Sequence, residues 1–133
     1  MKFKITTPSG LPAKKNDILF SCRGKYPVKY KSQKLKDFET ECAYQLIPQK
    51  RGLELPITVP VEVTYECFLN HRFNNRDIDN IITTLSDILE DNEILKNDAL
   101  VHRSIGTKYL IPKHETECAT IIIKPYQEEV DKN

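Results

Sequence analysis

The stretch Asn74–Asp98, NNRDIDNIITTLSDILEDNEILKND, sets acidic and apolar residues on one ordered pattern. Ile78, Ile81, Ile82, Leu85, Ile88 and Leu89 recur at three- and four-residue spacing, which places them on one stripe of an α-helix turned to a core. Asp79, Thr83, Ser86 and Glu90 then fall on the opposite stripe. Asp77 precedes the first full turn, and Asp98 lies beyond the break that Asp91 and Asn92 predict. Three carboxylates, Asp77, Asp79 and Asp98, are therefore expected to meet.

Such convergence has a chemical use. A hard cation such as Mg²⁺ takes oxygen ligands at about 2.0–2.1 Å and is held by one or two carboxylates together with substrate phosphates. In phosphodiester hydrolysis the ion polarises the phosphoryl group, can supply a hydroxide and stabilises developing charge, sometimes with a second ion about 3.5–4 Å away. Aspartate at a helix start also has an ordinary use, because its side chain accepts from free backbone N–H groups and complements the helix dipole. Spacing alone leaves both uses open for Asp77 and Asp79.

The same residues resemble the RusA-type Holliday-junction endodeoxyribonucleases. The signature of that family is an Asp-x-Asp-Asn opening a helix, an Asp further along it, and an acidic residue about twenty positions on. Arg76-Asp77-Ile78-Asp79-Asn80, then Asp87, then Asn97-Asp98 fit it in order and spacing. The resemblance implies that Asp77, Asp79 and Asp98 are metal-binding catalytic carboxylates, with Asn80, Thr83 and Asp87 in support. It also implies Mg²⁺ as cofactor, with Mn²⁺ as a substitute, and a homodimer acting on four-way DNA junctions in recombination and repair. One position departs from the pattern: the family carries a catalytically important Lys three residues after the Asn, and here that residue is Thr83. The likeness is strongest over residues 74–101, about a fifth of the chain, with weaker support from the basic segment Pro12–Asn16.

A chain of 133 residues, 39% of them hydrophobic, is long enough for one core and too short for two, so a single domain spanning 1–133 is expected. No apolar run approaches the eighteen or so residues of a membrane span, and MKFKITTPSG lacks the apolar region of a secretory signal. Cys22, Cys42, Cys67 and Cys118 form no C-x-x-C pair, and His71, His102 and His114 are not at zinc spacing. The cysteines read as free, mostly buried thiols of a cytoplasmic protein without a membrane partner.

The net charge of +1 conceals a division. Residues 1–36 hold ten basic side chains against Asp17 alone, a balance of +9, so the remaining residues carry −8. A basic segment beside an acidic cluster suits a protein that grips a polyanion while chelating a cation at the point of chemistry. The alternative is a solvated lysine face. Lys14, Lys15, Asn16, Arg23 and Lys25 are the candidate phosphate contacts of this segment. Arg72 and Arg76 flank the Asp-x-Asp motif, where they hold a phosphate or pair with Asp77 and Asp79.

Along the chain, Lys2–Thr7 alternates as a half-buried strand with Phe3 and Ile5 inward. Pro8–Asn16 reads as a basic loop, and Asp17–Tyr30 as a small hairpin or flap. Ser32 caps a helix predicted over Gln33–Ile47, ending before Pro48. Leu55–Leu69 reads as a long strand, with Pro56 and Pro60 suggesting an edge or a late start. Ala99–Leu110 and Cys118–Lys124 read as two strands joined by the turn at Pro112–Glu117, with a frayed tail from about residue 127. The strand after Asp98 either shows some of His102, Arg103 and Lys108 to DNA or holds them on the exposed side of an antiparallel strand, and the second is expected. The order implies an α+β domain with a mixed or antiparallel sheet and two main helices. Its first expected function is Mg²⁺-dependent, structure-selective cleavage of branched DNA by a homodimer making two symmetric cuts. A junction-binding protein that has lost cleavage, suggested by Thr83, is the rival.

Overall fold

The computed structural model describes residues 1–12, 18–23, 26–70 and 76–128, with 18–23 and 26–29 described as backbone. In chain order the elements are β1 (Lys2–Thr7), β2 (Ile18–Arg23), β3 (Tyr26–Lys31), α1 (Gln33–Gln49), β4 (Val61–Leu69), α2 (Ile78–Asp91), a 3₁₀ turn (Asp98–Leu100), β5 (Val101–Leu110) and β6 (Glu117–Pro125). This is an α+β domain. β2 and β3 pair as an antiparallel hairpin, and the other four strands form one mixed sheet in the order β1-β6-β4-β5.

The sheet's inward residues are those that alternation selects. Phe3 and Ile5 of β1, Val63, Tyr65, Cys67 and Leu69 of β4, and Ala119, Ile121 and Ile123 of β6 join one buried cluster. Both helices complete that cluster from the same side. α1 contributes Phe38, Cys42 and Leu46, and α2 contributes Ile81, Leu85, Ile88 and Leu89. Each such side chain gains about 1.5–3 kcal/mol from burial, which is what fixes α2 against the sheet. Burial pushes the Cys42 and Cys67 thiols up to about 12, as expected of apolar fillers. Cys42, Cys67 and Cys118 are free. No helix of the described residues is long and apolar enough to cross a membrane.

The open margin of β1 is sealed by side chains. Gln49 accepts from the Lys4 N–H at 2.7 Å and donates to the Lys4 carbonyl at 2.8 Å, and Gln45 does the same at Thr6, at 2.7 Å each way. The two amides thus stand in for a neighbouring strand. α1 also runs past the Ile47 boundary, because Pro48 sits in the last turn, where the N–H it lacks is nearly the helix's last, and Lys50 N–H closes on Leu46 at 3.0 Å.

β4 is shorter than the expected Leu55–Leu69 and begins at Val61, after Pro60, so of the two readings that the prolines left open the late start holds and the edge does not. The direction of the following strand is corrected. β5 runs parallel to β4, not antiparallel, and β4 separates it from β6. α2 crosses β5 closely, since a Cβ on Gly106 would stand 2.3 Å from Ile82 Cδ1 and 3.0 Å from Ile78 Cγ1.

Candidate active site

Asp77 occupies the N-cap position of α2 with extended backbone (φ −69°, ψ 137°), and its carbonyl accepts from Asn80 and Ile81 N–H at 3.1 and 3.2 Å. Its carboxylate makes no capping hydrogen bond. Asn80 Nδ2 stands 3.5 Å from Asp77 Oδ2, too far to be a strong tie. The ordinary helix-capping use of this side chain is therefore not made. Asp79 follows in the first turn, and both residues are exposed.

What holds this helix start is a buried ion pair one residue upstream. Arg76 donates to both oxygens of Glu117, at 2.8 and 2.7 Å, and also to the Leu11 carbonyl. Glu117 accepts in addition from the backbone N–H of Leu11 and Asn70, at 2.8 Å each. Burial by itself raises the Glu117 carboxyl, but the Arg76 guanidinium and the two backbone N–H groups outweigh it and hold the group below its usual range. Arg76 thus corrects its assignment to DNA. The guanidinium faces the protein interior, because a fork of donors two residues upstream of the helix finds a buried carboxylate already in place.

From the sheet, Lys108 Nζ donates to the Arg76 carbonyl at 3.0 Å. That carbonyl belongs to the peptide bond joining Arg76 to Asp77. Among the described residues at this site, sequence reasoning missed Glu117 and named Lys108 without placing it here. The cationic alternation of β5 marked Lys108, but only the strand's direction brings it to this end of α2.

Asp98 lies elsewhere. Its N–H donates to Glu90 Oε1 at 3.2 Å. At a rise of about 1.5 Å per residue, Glu90 is roughly 20 Å along α2 from Asp77. β5 departs from Asp98 and arrives with Lys108 beside Asp77, so the two acidic positions sit at opposite ends of one strand. Among the described residues no group of three or more His, Cys, Asp and Glu is placed to hold a metal ion. One chain therefore brings together Asp77 and Asp79 and leaves Asp98 apart.

The supporting positions are local. Thr83 is exposed and its hydroxyl donates back to the Asp79 carbonyl at 2.8 Å. Asp87 is half-buried and, with Asp91, adds to the field of Glu39 that holds the Lys31 ammonium above its usual range, chiefly through the Lys31–Glu39 hydrogen bond of 2.8 Å. Lys14, Lys15, Asn16, Lys25 and Arg72 lie outside the described residues, as does the side chain of Arg23.

The family model for endodeoxyribonuclease RusA matches residues 10–124. The chain belongs to the RusA family. Comparison with curated protein sequences gives no match. RusA membership implies an endodeoxyribonuclease, and it covers most of the chain rather than the Asp-x-Asp motif alone. The RusA span begins at Gly10, beside the Arg76–Glu117 pair, and takes in both helices, the Asp77–Asp79 turn, Asp98 and Lys108.

Proposed function

We propose that this chain is a Mg²⁺-dependent endodeoxyribonuclease that cuts four-way (Holliday) DNA junctions as a homodimer, in recombination and repair, with Asp77, Asp79 and Asp98 as the ion's ligands. The observation that carries the reading is the pair of exposed carboxylates at the start of α2, one at a cap position whose capping bond is not made, on a backbone tied from both sides by Glu117 and Lys108. Their oxygen chemistry suits a hard cation. The geometry of a single chain does not, because Asp98 stands at the far end of the helix.

A second copy accounts for that mismatch. β5 is the margin of the sheet opposite β1. Two copies related by a two-fold axis, with their β5 strands antiparallel, would set Asp98 of the partner subunit toward Asp77 and Asp79, and would do so at both ends at once. Two equivalent sites on one symmetric body match a substrate that needs two symmetric cuts.

A labelled synthetic four-way junction, incubated with and without Mg²⁺, tests the activity: Mg²⁺-dependent symmetric cleavage is expected. Binding without cleavage would favour the second reading, a cleavage-deficient junction binder, which the uncharged Thr83 motivates. Mixing tests the shared site. Asp79→Asn and Asp98→Asn, each inactive alone, should regain cleavage together, since their heterodimer keeps one intact combination. No recovery would confine each site to one chain.

A further inference from the structure

We propose that Lys108 is a catalytic residue that contacts the scissile phosphate, its ammonium balancing the charge that grows there during cleavage. This rests on the reading of the start of α2 as the place of phosphodiester hydrolysis. The argument begins with the strand. Gly106 has no side chain, so α2 settles onto β5 through Ile78 and Ile82, and Lys108, two residues on, emerges on the same side at the helix's first turn. Its Nζ is fixed at 3.0 Å from the carbonyl of the peptide bond leading into Asp77.

Among the described residues the neighbouring groups leave this role to Lys108. Arg76 is turned inward against Glu117 and the Leu11 carbonyl. Thr83, one turn beyond Asp79 on the same helical face, carries no charge and returns its hydroxyl to the Asp79 carbonyl. An ammonium has three donors, and among the described residues Lys108 uses one, on a carbonyl that fixes its position without neutralising it. No ion pair ties it down among the described residues, although two exposed aspartates lie next along the chain from the carbonyl it holds. A tethered, un-neutralised cation beside two carboxylates is what a phosphate diester needs in order to approach that acidic end of the molecule. The role is electrostatic: no bond to the ammonium forms or breaks, and the amine keeps its proton throughout. A charge placed in advance where anionic charge develops contributes about 10²–10⁴-fold in rate.

The test is single-turnover cleavage of a labelled junction at saturating Mg²⁺, with junction affinity measured in Ca²⁺ and thermal unfolding measured alongside. Lys108→Ala should lose about 10²-fold or more in rate while affinity changes only a few-fold and the melting temperature holds. Lys108→Arg, which keeps the charge, should retain much of the rate. Thr83→Lys in the Lys108→Ala background should restore at least about tenfold, because Lys at 83 projects from the same face as Asp79. Cleavage by Lys108→Ala at the wild-type rate, with Asp79→Asn inactive, overturns the role of Lys108 and leaves the site standing. A rate loss that merely tracks lost folded protein makes Lys108 a structural tether and overturns the role as well. A wild type that binds junctions but never cuts them in Mg²⁺ removes both the site and the role.

Discussion

Glu117 receives both terminal nitrogens of Arg76, at 2.8 and 2.7 Å, across 41 positions of sequence, and the Arg76 it holds is the residue immediately before Asp77. The pair is buried, so removing one partner leaves an uncompensated charge. Glu117→Ala should cost about 3–5 kcal/mol, measured by chemical unfolding, and should release the start of α2 as well. A loss under about 1 kcal/mol would mean that the pair contributes no more than a surface ion pair does.

The same carboxylate gives the fold an acid limit. Its folded pKa is lowered, so the stability it contributes is complete above the unfolded glutamate value of about 4.3 and is lost as pH falls through the lower folded value. Melting temperature followed from pH 6 downward should fall through that window. Glu117→Gln should start less stable and show a shallower fall, while an unchanged slope would assign the acid limit to other groups.

Neutralising a proposed ligand acts on two quantities in opposite directions. Asp77→Asn, Asp79→Asn and Asp98→Asn should each abolish cleavage, yet junction affinity should hold or rise, since a carboxylate that repels phosphate has gone. Gel-shift titration beside the cleavage assay reads both, and full activity in all three variants would sink the assignment.

The basic segment is tested by salt. Removing charge at Lys14, Lys15, Arg23 and Lys25 should weaken binding and reduce the slope of log affinity against log salt by about one unit for each phosphate no longer gripped. A slope that does not move would make these residues a solvated face.

Gly106→Ala probes the packing of α2 on β5. The added methyl meets Ile82 Cδ1 at 2.3 Å, which a rotamer change relieves, and Ile78 Cγ1 at 3.0 Å, which also must give. Overpacking of this kind costs about 1–3 kcal/mol. Because the same close approach delivers Lys108 to the Arg76 carbonyl, cleavage should fall further than the drop in stability explains.

α2 was legible from its apolar spacing because a helix writes its buried face into local sequence, and the observed Ile78–Asp91 keeps that stripe. The strand alternation of β1 and β4 was legible for the same reason. What local pattern does not carry is pairing. Nothing in ALVHRSIGTKYL says that β4 lies between this strand and β6, so Lys108 reads as surface until the parallel register with β4 carries the strand back to Arg76. Arg76 likewise shows only its near acidic neighbours in sequence, while its partner arrives from β6. Sequence spacing also does not show that Asp98 meets Glu90, about 20 Å along α2 from Asp77 in the same chain.

Gln45 and Gln49 occupy the backbone groups of Lys4 and Thr6 along one margin of the sheet, whereas β5 forms the other margin. A sheet that is closed along one side and open along the other has valence one. Copies that join through β5 would turn outward the β1 margin where Gln45 and Gln49 already occupy Lys4 and Thr6, so growth of the four-stranded sheet would stop at a pair.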